Sequence, residues 1–153
     1  VMRALLEGCL RARGVRFFHG HHEREYFFLL DYLDHTAAPP RTGKLHVHLQ
    51  RGGAAGDEIT ATVSPDRFYP AAGRERLSEL ARQWGDGGGA AVATVHPSSD
   101  PGLVGVVASN SGKPADVAAL STMVDRTVGA ALDLFGRMQQ VVAPAAPGLR
   151  DAG

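Results

Sequence analysis

Apolar side chains recur at intervals of three and four residues in three segments of this chain, which is the spacing of one face of an α-helix. The first segment ends at Gly14, where a glycine suits a helix C-terminus. The second follows Pro70, which fits the first turn of a helix. The third begins after Asp116, and its apolar stripe consists of Val117, Leu120, Val124, Val128, Ala131, Phe135 and Met138. The pattern therefore predicts three helices.

Six further segments carry the patterns of β-strands. The first two are rich in aromatic and branched residues and predict a hairpin. The next two alternate apolar and polar residues, which favours an antiparallel sheet with one buried face. The last two are nearly continuous apolar runs and predict central strands covered on both faces. In chain order the six are Val15–Phe18, Tyr26–Leu30, Lys44–Gln50, Glu58–Ser64, Ala91–Val95 and Leu103–Ala108.

The element order predicts an α+β fold, α-β(3–4)-α-β(2)-α, with an antiparallel sheet of five or six strands and three helices mainly on one face. Residues 1–142 are predicted to form a single domain, and the Ala-, Pro- and Gly-rich residues 143–153 a disordered tail. The segment Asp34–Gly43, which holds Pro39 and Pro40, is predicted to be a mobile loop.

Charge and composition narrow the classes of function. The 153 residues carry 16 basic and 16 acidic side chains, so no net field favours nucleic acid or an anionic membrane. Cys9 is the one cysteine, which excludes an internal disulfide. No apolar stretch is long enough for a membrane span, and the first residues do not resemble a signal peptide. We expect a cytoplasmic protein, and the abundance of Arg, Ala and Gly indicates a GC-rich genome such as that of an actinobacterium.

The histidines are the first candidate for chemistry. His46 and His48 are two residues apart in a predicted strand, so both imidazoles face one side and can bind one metal ion. If the hairpin lies beside this strand, His21 or His22 supplies a third ligand. No Cys, Asp or Glu at a matching offset completes the set. We therefore favour solvated histidines on an open sheet face, and keep a metal site at His21, His22, His46 and His48 as the alternative.

Signatures of catalysis are weaker. No serine lies in a G-x-S-x-G turn, and the run Gly85–Gly89 lacks the Lys-Ser/Thr of a phosphate-binding loop and follows a helix rather than a strand. We predict no catalytic residues, no cofactor and no enzymatic activity.

The strand over residues 25–30 carries apolar side chains on both faces, because Phe27 and Phe28 point in opposite directions, as do Leu29 and Leu30. If helices cover one face, something else must bury the other, such as a second subunit. We therefore expect a homodimer. The residues assigned to a partner-binding surface are Phe28, Leu30, His46, His48 and Trp84.

Several local sequences resemble the YbjN-domain family, whose fold is similar to that of type III secretion chaperones. They are Arg67-Phe68-Tyr69-Pro70 before the second helix, Leu80-Ala81-Arg82-Gln83-Trp84 at its end, and Met123-Val124-Asp125-Arg126-Thr127 through Leu134-Phe135 in the last helix. The Gly-rich run Gly85–Gly89 departs from the polar segment expected there. The resemblance implies an α-β(3–4)-α-β(2)-α domain, frequently dimeric, with a regulatory or chaperone-like role, and it supplies no catalytic residues.

Three functional hypotheses follow. The favoured one is a non-enzymatic binding module, chaperone-like or regulatory, that holds a segment of a protein partner. The alternatives are the histidine metal site and a small-molecule sensor with its pocket between Trp84 and the sheet.

Overall fold

The chain folds in the order helix, five strands, helix, two strands, helix. The computed structural model describes residues 2–20, 25–34, 41–86 and 91–142. Its elements are α1 Met2–Arg13, β1 Phe17–His19, β2 Glu25–Asp34, β3 Arg41–Gly52, β4 Glu58–Pro65, β5 Tyr69–Pro70, α2 Arg74–Asp86, β6 Val92–Pro97, β7 Leu103–Gly112 and α3 Val117–Val141. The predicted α+β class and the three helices are confirmed.

Within the described residues, the strands form one antiparallel sheet of seven strands. The strands β1, β2, β3, β4 and β7 are neighbours in that order. Ala108 of β7 pairs with Val63 of β4 on one side and with Ala93 of β6 on the other, so β6 forms the far edge. The two-residue strand β5 continues the line of β4 beside β7, where Tyr69 pairs with Val104. It is the strand that the sequence pattern did not predict.

The three helices cover one face of the sheet. α3 packs over β4 and β7 and contacts both α1 and α2. The covered face receives alternate residues of the strands: Tyr26, Phe28, Leu45, Val47, Leu49, Ile59, Ala61, Val63, Val104, Val106 and Ala108. The helices contribute Leu6, Cys9, Leu10, Leu77, Ala81, Leu120, Val124, Ala131, Leu134, Phe135 and Met138. The alternation predicted for β3 and β4 and the stripe predicted for α3 therefore form the core.

Polar contacts set the ends and positions of the helices. A carboxylate oxygen of Asp116 accepts a hydrogen bond of 2.8 Å from the backbone N–H of Ala119 and so caps the first turn of α3. Gly14 takes a φ of 68° just after α1, a conformation that glycine adopts without strain. Arg13 then reaches Asp125 of α3 at 2.7 Å, which links the two helices.

Glu7 joins α1 to the sheet, because its carboxylate accepts a hydrogen bond of 3.0 Å from the hydroxyl of Tyr26 in β2. Hydrogen bonds from Arg3 and from Tyr26 hold the pKa of Glu7 below its ordinary value. Burial raises the pKa of the Tyr26 hydroxyl, so that this hydroxyl remains the donor.

The predicted loop Asp34–Gly43 is shorter in the structure than in the sequence analysis. β2 continues to Asp34 and β3 already begins at Arg41. The ring of Tyr32 lies over Gly43, its partner across the two strands, where a Cβ atom would come within 2.6 Å of it. This contact between the Tyr32 ring and Gly43 supports the pairing of β2 with β3 at this end of the two strands. Residues 35–40, which include both prolines, lie outside the described residues, as do the predicted tail 143–153 and the turn residues 21–24.

One further local prediction is refined and one was wrong. Pro70 precedes a short 3-10 helix, Ala71–Gly73, that leads directly into α2 at Arg74, and it also pairs with Leu103 in the sheet. β6 is an edge strand, with Val92 61% exposed, and is not covered on both faces. Only β7 has the central position that its apolar run predicted, because neighbours flank it on both sides.

Adjacent residues of β2 give a direct test of the face assignment. Phe28 is 1% exposed and Phe27 is 41% exposed. We expect Phe28→Ala to lower the free energy of unfolding by about 3–5 kcal/mol, because it opens a cavity in the core. Phe27→Ala should lower it by about 1 kcal/mol or less. Urea unfolding of the two variants beside the unmodified protein measures both, and equal losses would contradict the assignment.

Candidate binding surface

The face of the sheet opposite the helices has no described element over it, and its side chains form rows across the strands. One row runs through six strands: Phe18, Phe27, His48, Thr62, Ser109 and Val92. The next row contains Leu29, His46 and Ser64. The side chains are thus apolar on β1 and β2 and mostly hydroxyl-bearing on β4 and β7.

Four large hydrophobic side chains at the β1–β2 end form what we call the apolar patch. Phe18 is 58% exposed, Phe27 41%, Leu29 46% and Leu33 52%. They lie on the same face because Phe18 pairs with Phe27, and because Phe27, Leu29 and Leu33 are separated by even numbers of residues in β2. Single exposed hydrophobics are normal on a protein surface, whereas a group of them on one face indicates a binding surface. Phe18, Phe27 and Leu29 border one groove, and Leu33 lies beyond Asp31 on the same face.

His48 packs against Phe27 of the apolar patch. Its imidazole stacks on the ring of Phe27, with the ring centroids 4.6 Å apart and the planes 19° from parallel. Its Nε2 atom is buried and makes no hydrogen bond within the described part of the chain, and the nearest carboxylate oxygen, of Glu25, is 3.7 Å away. The stack restricts the Phe27 ring, which lowers the entropy that a partner would have to remove on binding.

Two grooves adjoin on this face. The first, of about 470 Å³, is bordered by the apolar residues Phe18, Phe27 and Leu29 and by the two histidines of β3. The second, of about 540 Å³, lies where the chain leaves β4 for β5. His46 and Ser64 line both grooves, so the first, apolar groove and the second groove share a border on β3 and β4.

In the second groove, a glycine leaves room for a histidine ring. His96 lies directly over Gly105, its partner in β7, where a Cβ atom would come within 2.4 Å of the ring. Its Nδ1–H donates to the carbonyl of Pro97 at 3.0 Å. Asp66 and Arg67 also line the groove, and Asp66 accepts a hydrogen bond from the backbone of Lys44 at 3.0 Å.

The structure does not bring the predicted partner-binding residues together. His46 and His48 lie on the open face. Phe28 is buried in the core, and Leu30 and Trp84 are partly buried against it on the helix side. Phe27 and Leu29 occupy the exposed positions instead. One signal in the sequence marks them: Asp31 shares their alternation, and a charged side chain favours the solvated face.

The alternative sites stand as follows. Within the described residues, no three His, Cys, Asp or Glu side chains gather closely enough to hold a metal ion, and His21 and His22 lie outside those residues. Trp84 lines neither groove, so the pocket expected between it and the sheet is not among the cavities described above. Cys9 is fully buried, and burial raises the pKa of its thiol.

Comparison with solved structures finds a similar fold. The fold matches the crystal structure of YbjN, a proposed transcription regulator from E. coli, with a TM-score of 0.59 and 12% sequence identity over 91% of this chain and 93% of that chain. The chain therefore has a YbjN-like fold. No family model and no curated protein matches the sequence. None of the helices in the described ranges is long and apolar enough to cross a membrane.

The apolar patch should bind a hydrophobic dye in the native state. We expect the folded protein to increase the fluorescence of anilinonaphthalene sulfonate, because the apolar patch and the groove beside it expose apolar surface on the open face of the sheet. A Phe18→Ser/Phe27→Ser double variant should lose most of this increase. Val92→Ser, which changes an exposed side chain at the opposite edge of the same face, is the control. A double variant that keeps the signal would contradict the assignment.

Proposed function

We propose that this protein is a non-enzymatic binding module that holds a segment of a protein partner against the open face of its sheet. The observation that carries the proposal is the apolar patch of Phe18, Phe27, Leu29 and Leu33, which remains exposed on a face that no helix of the described residues covers. Contact between an apolar side chain and water is unfavourable, so a partner that buries these side chains binds with a favourable hydrophobic contribution to the free energy.

The chemistry around the patch favours a polypeptide as the partner. The chain carries no net charge, so electrostatics offer little attraction to phosphates or to an anionic membrane. Hydroxyl groups border the apolar side chains, among them Thr62 and Ser64 in the apolar groove. An apolar centre with a polar rim is the usual composition of a protein–protein interface.

We also propose that the role is regulatory and that the chain is a distant member of the YbjN-domain family. The shared fold and the local sequences around Tyr69 and Trp84 support the membership. The role of transcription regulator is proposed for YbjN itself. For this chain, we extend only the broader idea of a protein that acts by binding, and we further propose that two copies associate.

A photoreactive residue at position 27 tests the partner proposal. With benzoylphenylalanine in place of Phe27, illumination in the native host should join the protein to a partner of one defined mass. The same residue in place of Val92 should not. Excess unlabelled protein should compete for the product, because it occupies the partner, whereas excess Phe27→Asp should not compete. Equal products from positions 27 and 92 would count against the proposal.

The second groove supports a second candidate, a small-molecule sensor. Its volume of about 540 Å³ is in the range of ligand pockets, and His46, Arg67 and His96 supply polar groups that can orient a metabolite.

A thermal-shift screen with metabolites tests this candidate. A ligand at 100 times its dissociation constant should stabilise the fold by about 2.7 kcal/mol. His46→Ala should reduce the shift, and Glu79→Ala, on the exposed side of α2, should not. A screen in which no metabolite raises the melting temperature would leave the protein-binding function as the only proposal.

A further inference from the structure

The edge of the sheet at β2 is only partly covered. β1 pairs with Tyr26, Phe27 and Phe28, whereas β2 continues to Asp34. Beyond Phe28 the chain of β1 turns toward α1, and no described strand flanks the last residues of β2 on that side. A strand edge of this kind exposes backbone donors and acceptors that can pair with another strand.

The register identifies which backbone groups point outward. The N–H of Gly20 donates to the carbonyl of Glu25 at 3.0 Å across the β1–β2 pair. In an antiparallel ladder, the residues that direct their backbone groups to one neighbour alternate along the strand. Residues with the same alternation as Glu25 therefore point to the β1 side. In the part of β2 that β1 does not flank, the residues that point to this side are Asp31 and Leu33.

Among the described residues, this edge has little of the usual protection against pairing. Natural edge strands carry charged side chains, especially lysine, or proline or a bulge, or are covered by a helix or loop. Residues 29–33 contain neither lysine nor proline, and their pairing with β3 runs without interruption from Leu29 opposite His46 to Leu33 opposite Thr42. The one charge, on Asp31, is paired with the ammonium of Lys44 at 2.7 Å.

We infer that the β2 edges of two copies of this chain pair antiparallel about a two-fold axis at Tyr32 and so join two sheets into one. This inference rests on the proposed self-association and specifies its interface. A two-fold interface requires a surface that complements itself. An unpaired antiparallel edge meets that requirement, because Asp31 of each copy exchanges hydrogen bonds with Leu33 of the other.

The choice of this register has two reasons. A shift toward Leu29 would bring the second strand against residues that β1 and its approach already flank, and would set the two Asp31 carboxylates opposite each other, which is unfavourable. Pairing about Tyr32 uses both outward residues and places the two Asp31 carboxylates diagonally instead of directly opposite each other. It also brings Leu33 of the two copies into diagonal contact, so the exposed leucines beside the axis cover one another.

A cross-linking experiment tests the register. Asp31→Cys and Leu33→Cys proteins, mixed without reductant, should form a disulfide-linked dimer, because hydrogen-bonded pairs have Cα atoms about 5.5 Å apart. Asp31→Cys alone should link far less, since its two thiols would be diagonal. The native Cys9 is buried and does not compete. Thr94→Cys, at the β6 edge, is the control. A link through Thr94→Cys in place of the mixed pair would overturn the interface.

A pair of substitutions at one position tests the hydrogen bonds themselves. Asp31→Pro removes an outward N–H and should leave the fold intact, because proline is tolerated at an edge where the N–H faces solvent. It should weaken the dimer about tenfold or more, the equivalent of two lost hydrogen bonds. Asp31→Asn should leave the dimer unchanged or tighter. Sedimentation equilibrium measures both, with circular dichroism as the check of folding.

The outcomes separate the interface from the self-association. A monomer at every concentration tested would overturn both proposals. A dimer that Asp31→Pro does not weaken, and that the mixed cysteine proteins do not cross-link, would overturn the β2 interface and leave self-association standing.

Discussion

The burial of one face of a seven-stranded sheet beneath α3 is the constraint on which the rest of the structure depends. Val124 and Leu134 of that helix have no exposed surface, and the inward residues of β4 that lie in the same core are equally buried. Because side chains alternate along a strand, burial of one set fixes the direction of the other. Every residue on the open face is therefore there as a consequence of the core.

This constraint explains why an apolar patch can persist in water. β2 places Phe28 in the core and so must direct Phe27 and Leu29 outward. The structure does not hide these side chains with a second layer of helices in its described part. The ring of Phe27 is restricted, because His48 stacks on it. Apolar side chains that are exposed and held in position favour a binding role over a purely structural one.

The same strand connects the surface to the edge. β2 is longer than β1, so its last residues combine exposed leucines with outward backbone groups. Face and edge would serve different occupants, a partner segment on the face and a second copy at the edge. A dimer formed at the edge would bring the apolar patches of both copies onto one continuous sheet face. Binding of a partner and self-association would then share side chains such as Leu33, and each could influence the other.

The candidate surface shows how far the sequence could lead. His46 and His48 were predicted to lie solvated on one sheet face. The structure places both on the open face, where His46 is exposed and the Nε2 atom of His48 is buried. Phe28 was assigned to the same surface, although its neighbour Phe27 occupies it. In residues 25–30, apolar side chains occur at both odd and even positions. The local sequence therefore does not show whether Phe27 or Phe28 faces the core. The choice depends on Val47, which pairs with Phe28 and is itself in the core.

The sequence by itself determined the features that arise within a few residues: the three helical stripes, the capping of α3 by Asp116, the glycine end of α1 and the alternation of β3 and β4. These follow from the period of each element and from local hydrogen bonds. The tertiary structure alone decided that β6 is an edge, that Tyr69 and Pro70 form a strand, and that His46, Ser64 and His96 border one groove. Each of these depends on which distant segment lies alongside, because a strand is defined by the neighbour it pairs with and not by its own side chains.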